Sequence, residues 1–147
     1  MATTTRLPQD FKDFLKLLNS KRVEYLLIGG YAVGYYGYPR PTGDMDIWIS
    51  TERENAKRLV VALEEFGFAS SLEVFLEENK VVRMGVPPFR LEILTTIDGV
   101  SFPDCYSERT HVVLDEVEVD LISLRDLKTN KKASGRLKDL SDLENLP

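Results

Sequence analysis

One stretch of this chain, residues 25–50, constrains the possible folds more than any other part of the sequence. It reads YLLIGGYAVGYYGYPRPTGDMDIWIS, so an apolar strand ends in a glycine pair and a second apolar strand opens with Asp44 and Asp46. Because successive side chains of a strand point to opposite faces of a sheet, these two aspartates project to the same side. The stretch therefore predicts two strands joined by a short helix and a proline loop, with paired carboxylates at the start of the second strand.

The paired carboxylates have two interpretations. Two like charges ~5 Å apart repel by roughly 3 kcal/mol at an effective dielectric near 20, and by less than about 1 kcal/mol in open water. The pair is therefore either exposed, as in a simple Gly-Asp turn, or neutralised by a cation. Ile47, Trp48 and Ile49 continue the aspartates into an apolar run, which favours a buried strand whose start opens onto a pocket.

The length and composition of the chain limit the classes of protein to which it can belong. With 147 residues, 43% of them hydrophobic, we expect a single domain over residues 1–147. No apolar run reaches transmembrane length and the first ten residues do not resemble a signal peptide, so we expect a cytoplasmic protein without membrane contact. Cys105 and His111 are the only cysteine and histidine, which excludes an internal disulfide and a zinc cluster.

The charge distribution favours a small anionic ligand over a long polyanion. The net charge of −5 argues against a surface that coats nucleic acid, since such surfaces are rich in Lys and Arg. Basic residues are nevertheless concentrated in residues 125–138, whereas residues 115–120 are acidic. A local contact with an anion is therefore compatible with the acidic balance of the whole chain.

Hydrophobic periodicity and turn residues predict the order of helices and strands. The predicted strands cover residues 23–28, 44–50, 81–84, 89–95, 111–114 and 117–122. The predicted helices cover residues 8–20, 31–36 and 52–66, one that starts near Ser123, and a final helix marked by Leu137, Leu140, Leu143 and Leu146. Asp115 and Glu116 separate the last two strands and predict a hairpin.

The glycine pair, Gly29 and Gly30, is a candidate phosphate site. A strand that ends in Gly-Gly and turns into a helix exposes backbone N–H groups, and the helix dipole favours an anion there. The absence of side chains lets a ligand approach closely. A tight turn without a ligand is an equal alternative, and the pattern matches neither the dinucleotide fingerprint nor a P-loop.

Glu92 is a third acidic candidate, because it lies inside the apolar strand of FRLEILTTIDG. A buried carboxylate must be paired, hydrogen bonded or metal bound, and a salt bridge to Arg90 or Arg83 is the simpler interpretation. If this strand lies beside that of Asp44 and Asp46, three carboxylates converge. Such a set suits two Mg²⁺ ions spaced ~3.5–4 Å apart, since Mg²⁺ prefers oxygen ligands and leaves room for substrate phosphates.

The glycine pair, the Gly-Asp-Met-Asp motif and the third acidic strand position together resemble the DNA polymerase β-like nucleotidyltransferase superfamily. More narrowly, GGYAVGYYGYPRPTGDMDIWI, VPPFRLEILTTIDGVSF and DLKTNKKASGRLKDLSDLENL are similar to small AbiEii-type and minimal nucleotidyltransferases, some of which are toxins of toxin–antitoxin pairs. The resemblance covers residues 23–146. It implies an α/β (α+β) single domain with a nucleotidyltransferase-like mixed β-sheet flanked by helices.

The resemblance also implies roles for individual residues. Gly29 and Gly30 would hold the triphosphate of an NTP. Asp44 and Asp46 would ligate the metal ions, and Glu92 would take the third carboxylate position, so that these three acids form the catalytic set.

A second group of residues is expected near the nucleotide. The resemblance implies this location for Lys131, Arg136 and Asp139 in NKKASGRLKDL. Arg40, in the proline loop, is a further candidate for offsetting charge on the phosphates. The alternative for the basic residues is a solvated surface charge, and Asp139 is equally compatible with a surface pair to Arg136 or Lys138.

The expected activity is the transfer of a nucleoside monophosphate from an NTP to an acceptor hydroxyl on tRNA, a protein or a small molecule. A cognate antitoxin or a second copy of the chain is a possible partner. The family more often has aspartate where this chain has Glu92, and catalytic geometry is sensitive to shifts of ~1 Å. One alternative is therefore a nucleotide-binding regulatory module with weak or no turnover. Another is an antitoxin or immunity partner that binds protein through Tyr31, Tyr35, Tyr36 and Tyr38.

Overall fold

The computed structural model describes residues 6–37, 43–86 and 88–147, which form a six-stranded sheet with helices on its faces. The strands are β1 Tyr25–Ile28, β2 Asp44–Ile49, β3 Val81–Met84, β4 Arg90–Leu94, β5 Thr110–Leu114 and β6 Val117–Leu121. The helices are α1 Gln9–Ser20, α2 Gly29–Tyr36, α3 Arg53–Phe66, α4 Phe102–Ser107, α5 Leu124–Ser134 and α6 Leu137–Glu144, and Leu72–Leu76 forms a 3-10 helix.

The sheet is mixed, with strand order β3-β4-β2-β1-β6-β5. Two hairpins, β3–β4 and β5–β6, form its edges, and β1 lies next to the centre between antiparallel β2 and parallel β6. The parallel pairing of β2 with β4 joins the two strands on which the sequence places acidic candidates. The predicted α+β mixed sheet is therefore confirmed.

The core explains why the central elements form where they do. All four residues of β1 are buried, and α1 contributes Phe11, Phe14, Leu15 and Leu18 from one face. Fully burying a side chain of this size contributes roughly 1.5–3 kcal/mol. Within the described ranges, no helix has the length and apolar character needed to cross a membrane.

Local signals identified several element boundaries correctly. Asp115 and Glu116 both adopt positive φ, as a two-residue hairpin turn between β5 and β6 requires. The Ser123 hydroxyl accepts a hydrogen bond from the Asp126 backbone N–H and caps α5. The short helix α4 and the 3-10 helix were not predicted, since each is too short to show hydrophobic periodicity.

The leucine spacing predicted α6, but only two of its four leucines, Leu143 and Leu146, pack on the core. Leu137 is 87% exposed and Leu140 is 45% exposed, whereas Asp139 and Asp142 are buried. The reason is the contact of α6 with α5, where the buried Lys131 requires carboxylate partners. This end of the chain is therefore held partly by ion pairs.

Candidate active site

The register between β2 and β4 brings the predicted carboxylates together. Asp46 lies opposite Glu92, and Asp44 lies opposite Arg90. Because paired residues on neighbouring strands point to the same face, Asp44, Asp46 and Glu92 share one side of the sheet. All three line a cavity of about 700 Å³.

Asp46 is the most perturbed acid of this cavity. Burial raises its pKa, as do its hydrogen bond to Glu92 and the charges of Glu92 and Asp44, so that the pKa reaches about 7. Its Oδ1 atom is buried and has no hydrogen-bond partner within the described part of the chain. Ionising Asp46 is therefore unfavourable unless a cation enters the site.

Glu92 and Asp44 are held by two arginines. Arg83 Nε lies 2.9 Å from Glu92 Oε1, and Arg90 Nη2 lies 3.4 Å from the same oxygen and 3.0 Å from Asp44 Oδ2. Burial alone would raise the pKa of Glu92, but its hydrogen bonds to Asp46 and Arg83 and the charges of both arginines lower it. Both salt bridges considered as simpler interpretations of Glu92 are thus present, together with the carboxylate cluster.

The two glycines occupy different positions relative to the cavity. Gly30 lines it in the first turn of α2. Gly29 has φ +68°, and a Cβ atom added there would lie 2.3 Å from Asp46 Oδ2. Glycine is therefore required at position 29 both by backbone conformation and by the approach of the carboxylate.

The basic residues near the end of the chain separate into two groups. Arg136 and Lys138 line the cavity with the carboxylates. Lys131 is only 5% exposed, and its Nζ lies 3.2 Å from Asp139 Oδ1 and 3.1 Å from Asp142 Oδ2. The structure thus brings Lys131 and Asp139 together in a buried cluster behind Arg136.

Arg40 and Lys138 are the two remaining basic residues considered for the site. Arg40 lies outside the described residues, so its predicted position stays a prediction. Lys138 was not singled out from the sequence, although it lines the cavity. Its only signal is its position two residues after Arg136, where the first turn of α6 presents both residues at the same end of the helix.

Comparison with known proteins shows the fold. No family model and no curated protein match the chain. A candidate nucleotidyltransferase from Thermotoga maritima superposes with a TM-score of 0.65 at 16% identity, covering 92% of this chain and 89% of that one. The chain has the nucleotidyltransferase fold.

Two further structures show the same fold. The lincosamide antibiotic adenylyltransferase LnuA, solved with lincomycin bound, gives a TM-score of 0.56 at 15% identity over 98% of this chain and 97% of its own. An antigenic nucleotidyltransferase-like protein from Paracoccidioides brasiliensis gives 0.54 at 19% identity over 92% and 71%. The narrower resemblance to AbiEii-type proteins stays a prediction.

In this nucleotidyltransferase fold, two arginines contact the carboxylates that could bind a metal ion. Within the described part of the chain, no three His, Cys, Asp or Glu side chains converge closely enough to hold a metal ion. Arg83 and Arg90 instead supply positive charge to the outer carboxylates. The buried Oδ1 of Asp46 and its raised pKa are features that a divalent cation would relieve, because a nearby cation favours the ionised carboxylate. The all-oxygen donor set therefore fits magnesium, provided that the arginines release it.

Proposed function

We propose that this protein is a metal-dependent nucleotidyltransferase, which moves a nucleoside monophosphate from an NTP to an acceptor hydroxyl. The observation that carries the proposal is the register of β2 with β4, because it sets Asp44, Asp46 and Glu92 on one face of one cavity. The likeness of the fold to that of LnuA, an adenylyltransferase, supports the same reaction class.

The phosphates of the NTP are bound by the glycine turn and the basic residues that line the cavity. The backbone N–H groups at the start of α2, beside Gly30, are oriented to bind an anion. Arg136 and Lys138 add positive charge to the same cavity. Positioning and charge stabilisation supply most of the catalysis in phosphoryl transfer, so this set of groups suits the reaction.

The reaction forms one bond and breaks one bond. The acceptor oxygen bonds to the α-phosphorus, while the bond from that phosphorus to the oxygen of the departing pyrophosphate breaks. The acceptor proton passes to Glu92, which acts as the general base.

Asp44, Asp46 and Glu92 would hold the magnesium ions, two of them in this proposal, and the metal when bound neutralises charge on the phosphates and the acceptor oxygen. In the absence of metal, Arg90 contacts both Asp44 and Glu92. The arginine therefore competes for the carboxylate oxygens that the metal requires. We expect metal binding to depend on the release of Arg90.

The acceptor belongs to one of three classes: a tRNA end, a protein hydroxyl or a small molecule. LnuA was solved with lincomycin, and this likeness supports including small hydroxyl compounds among the acceptors to be tested. A toxin–antitoxin role, with an antitoxin or a second copy of the chain as partner, is part of the same proposal and rests on the sequence resemblance. A cytoplasmic location is likewise proposed from the sequence.

A specific observation favours a second candidate function, a nucleotide-binding regulatory module without turnover. Arg83 and Arg90 form ion pairs with Glu92 and Asp44, and such pairs can neutralise the carboxylates without a metal ion. Such a module would bind an NTP through Gly30, Arg136 and Lys138 and transfer nothing.

A transfer assay separates the two functions. The chain is incubated with each α-labelled NTP, Mg²⁺ and, in turn, total RNA, total protein and a panel of small hydroxyl compounds. We expect label on one acceptor class with the wild type, none with Asp46→Asn, and unchanged labelling with Asp10→Asn, which replaces an exposed aspartate of α1. Thermal stabilisation by an NTP without transfer would support the regulatory module. The absence of both transfer and thermal stabilisation would overturn both functions.

A further inference from the structure

A buried ion cluster joins α5 to α6 and contacts Arg136, which lines the cavity. Lys131 lies between Asp139 and Asp142, and all three side chains are almost inaccessible to solvent. Burying charges is costly, and a buried pair is maintained only with good geometry and satisfied hydrogen bonds. The cluster therefore needs an explanation beyond simple stabilisation of a short helix.

Asp139 also holds a residue that lines the cavity. Its Oδ2 atom accepts a hydrogen bond of 2.7 Å from Arg136 Nε, and its Oδ1 accepts one of 3.3 Å from Arg136 Nη2. Two such bonds define the plane of a guanidinium group. The Arg136 side chain is otherwise 73% exposed, so these bonds restrict a group that would sample many rotamers in solvent.

We infer that Asp139 is a positioning residue, which fixes the guanidinium of Arg136 toward the phosphates of the substrate while the ion pair with the buried Lys131 holds the Asp139 carboxylate in place. This inference rests on the proposed function. It assigns Lys131 and Asp139 roles different from direct nucleotide contact, because the only cavity-lining side chain that the described cluster holds is Arg136.

The electrostatics agree with this arrangement. Burial would raise the pKa of Asp139, but its bonds to Arg136 and Lys131 lower it. The pKa of Arg136 is raised by its bond to Asp139 and by the charges of Asp139, Asp98 and Asp46. Since Asp46 lies in the carboxylate group, Arg136 is held within electrostatic reach of the proposed reaction centre.

Glu144 provides a control on the same helix. It is an exposed acid at the end of α6 and lies outside the buried cluster. Glu144→Gln removes one negative charge from α6, as Asp139→Asn does, and leaves Arg136 with both of its hydrogen bonds to Asp139. A loss of binding caused only by the changed charge of α6 would be the same in both variants.

The test measures the affinity for inorganic tripolyphosphate by calorimetry, without divalent cations. Holding a rotamer-rich side chain in place is worth about 0.5–1.5 kcal/mol, so we expect Asp139→Asn to weaken binding roughly 2- to 10-fold. Glu144→Gln should bind as the wild type does. In an Arg136→Gln background, Asp139→Asn should have no further effect.

Urea unfolding of each variant keeps loss of structure separate from loss of positioning. Equal weakening by Asp139→Asn and Glu144→Gln, or an undiminished effect of Asp139→Asn in the Arg136→Gln background, would overturn the positioning role alone. No binding of tripolyphosphate by the wild type would instead overturn the phosphate site of the proposed function, and the inference with it. If Asp139→Asn unfolds the chain, the Arg136→Lys variant decides between the outcomes. We expect it to bind tripolyphosphate more weakly, because lysine lacks the Nε and Nη2 atoms that bond to Asp139. Unchanged binding would contradict the positioning role.

Discussion

At the scale of single residues, Asp46 has the most strongly shifted pKa among the acids of the cavity. Its pKa of about 7 follows from burial, from Glu92 and from the charge of Asp44. An unfolded aspartate ionises near ~3.9, so folding favours the protonated form of this side chain. The free energy of unfolding should therefore fall as the pH rises from about 4 to about 7, because the unfolded chain loses this proton first.

Replacing Asp46 should stabilise the metal-free protein in a pH-dependent way. At pH 8 in the presence of a chelator, we expect Asp46→Asn to raise the free energy of unfolding by on the order of 2 kcal/mol. This is about half of the free energy that corresponds to the full shift of the Asp46 pKa, since the pKa of the neighbouring Glu92 moves in the opposite direction. At pH 4 the gain should vanish. Urea titrations at both pH values measure the difference, and a gain that is the same at pH 4 and pH 8 would contradict the raised pKa.

Gly29 should be much less tolerant of substitution than another glycine with positive φ. Gly29→Ala introduces a Cβ at 2.3 Å from Asp46 Oδ2, whereas Gly67 has φ +99° and no atom within 4 Å of an added Cβ. We expect Gly67→Ala to cost about 1 kcal/mol from backbone strain alone. Gly29→Ala should cost more and should also abolish transfer, because Asp46 must move. Equal stability losses with retained transfer would show that Asp46 is not held against this glycine.

At the scale of elements, the sequence predicted what depends on neighbouring residues and missed what depends on distant ones. The β5–β6 hairpin and the cap of α5 follow from local turn and hydrogen-bonding chemistry, and both were predicted. The salt bridges of Glu92 were among the alternatives considered from the sequence, but the contact of Arg90 with Asp44 depends on strand register, which periodicity does not specify. The burial of Asp139 on α6 depends on Lys131 of α5, which leucine spacing does not indicate.

The corrected orientation of α6 predicts a contrast between two leucines. Leu137→Ala, at an 87% exposed position, should change the free energy of unfolding by less than about 0.5 kcal/mol. Leu127→Ala, at a fully buried position of α5, should cost about 2–5 kcal/mol by creating a cavity. Chemical denaturation of both variants measures these changes. Comparable losses of the free energy of unfolding would show that Leu137 is buried rather than exposed.

At the scale of the whole molecule, the fold concentrates opposite charges in one cavity of a chain whose net charge is −5. The mixed sheet brings acids from β2 and β4 to one side, and the start of α6 adds Arg136 and Lys138. The fold class was predictable because the motifs lie on successive elements, and the solved structures share it. The pairing of Glu92 with Arg83 and Arg90 was predicted only as one of two alternatives, because the sequence does not show whether arginines or a metal ion neutralise the carboxylates.

The most direct measurement of the central claim is anomalous diffraction from crystals grown with Mn²⁺ and, in turn, the α,β-methylene analogue of each NTP. The account predicts manganese within about 2.5 Å of oxygens of Asp44 and Asp46, with Arg90 withdrawn and the triphosphate beside Gly30 and Arg136. Manganese and nucleotide bound elsewhere, or Arg90 still bridging Asp44 and Glu92 in a saturated crystal, would contradict it.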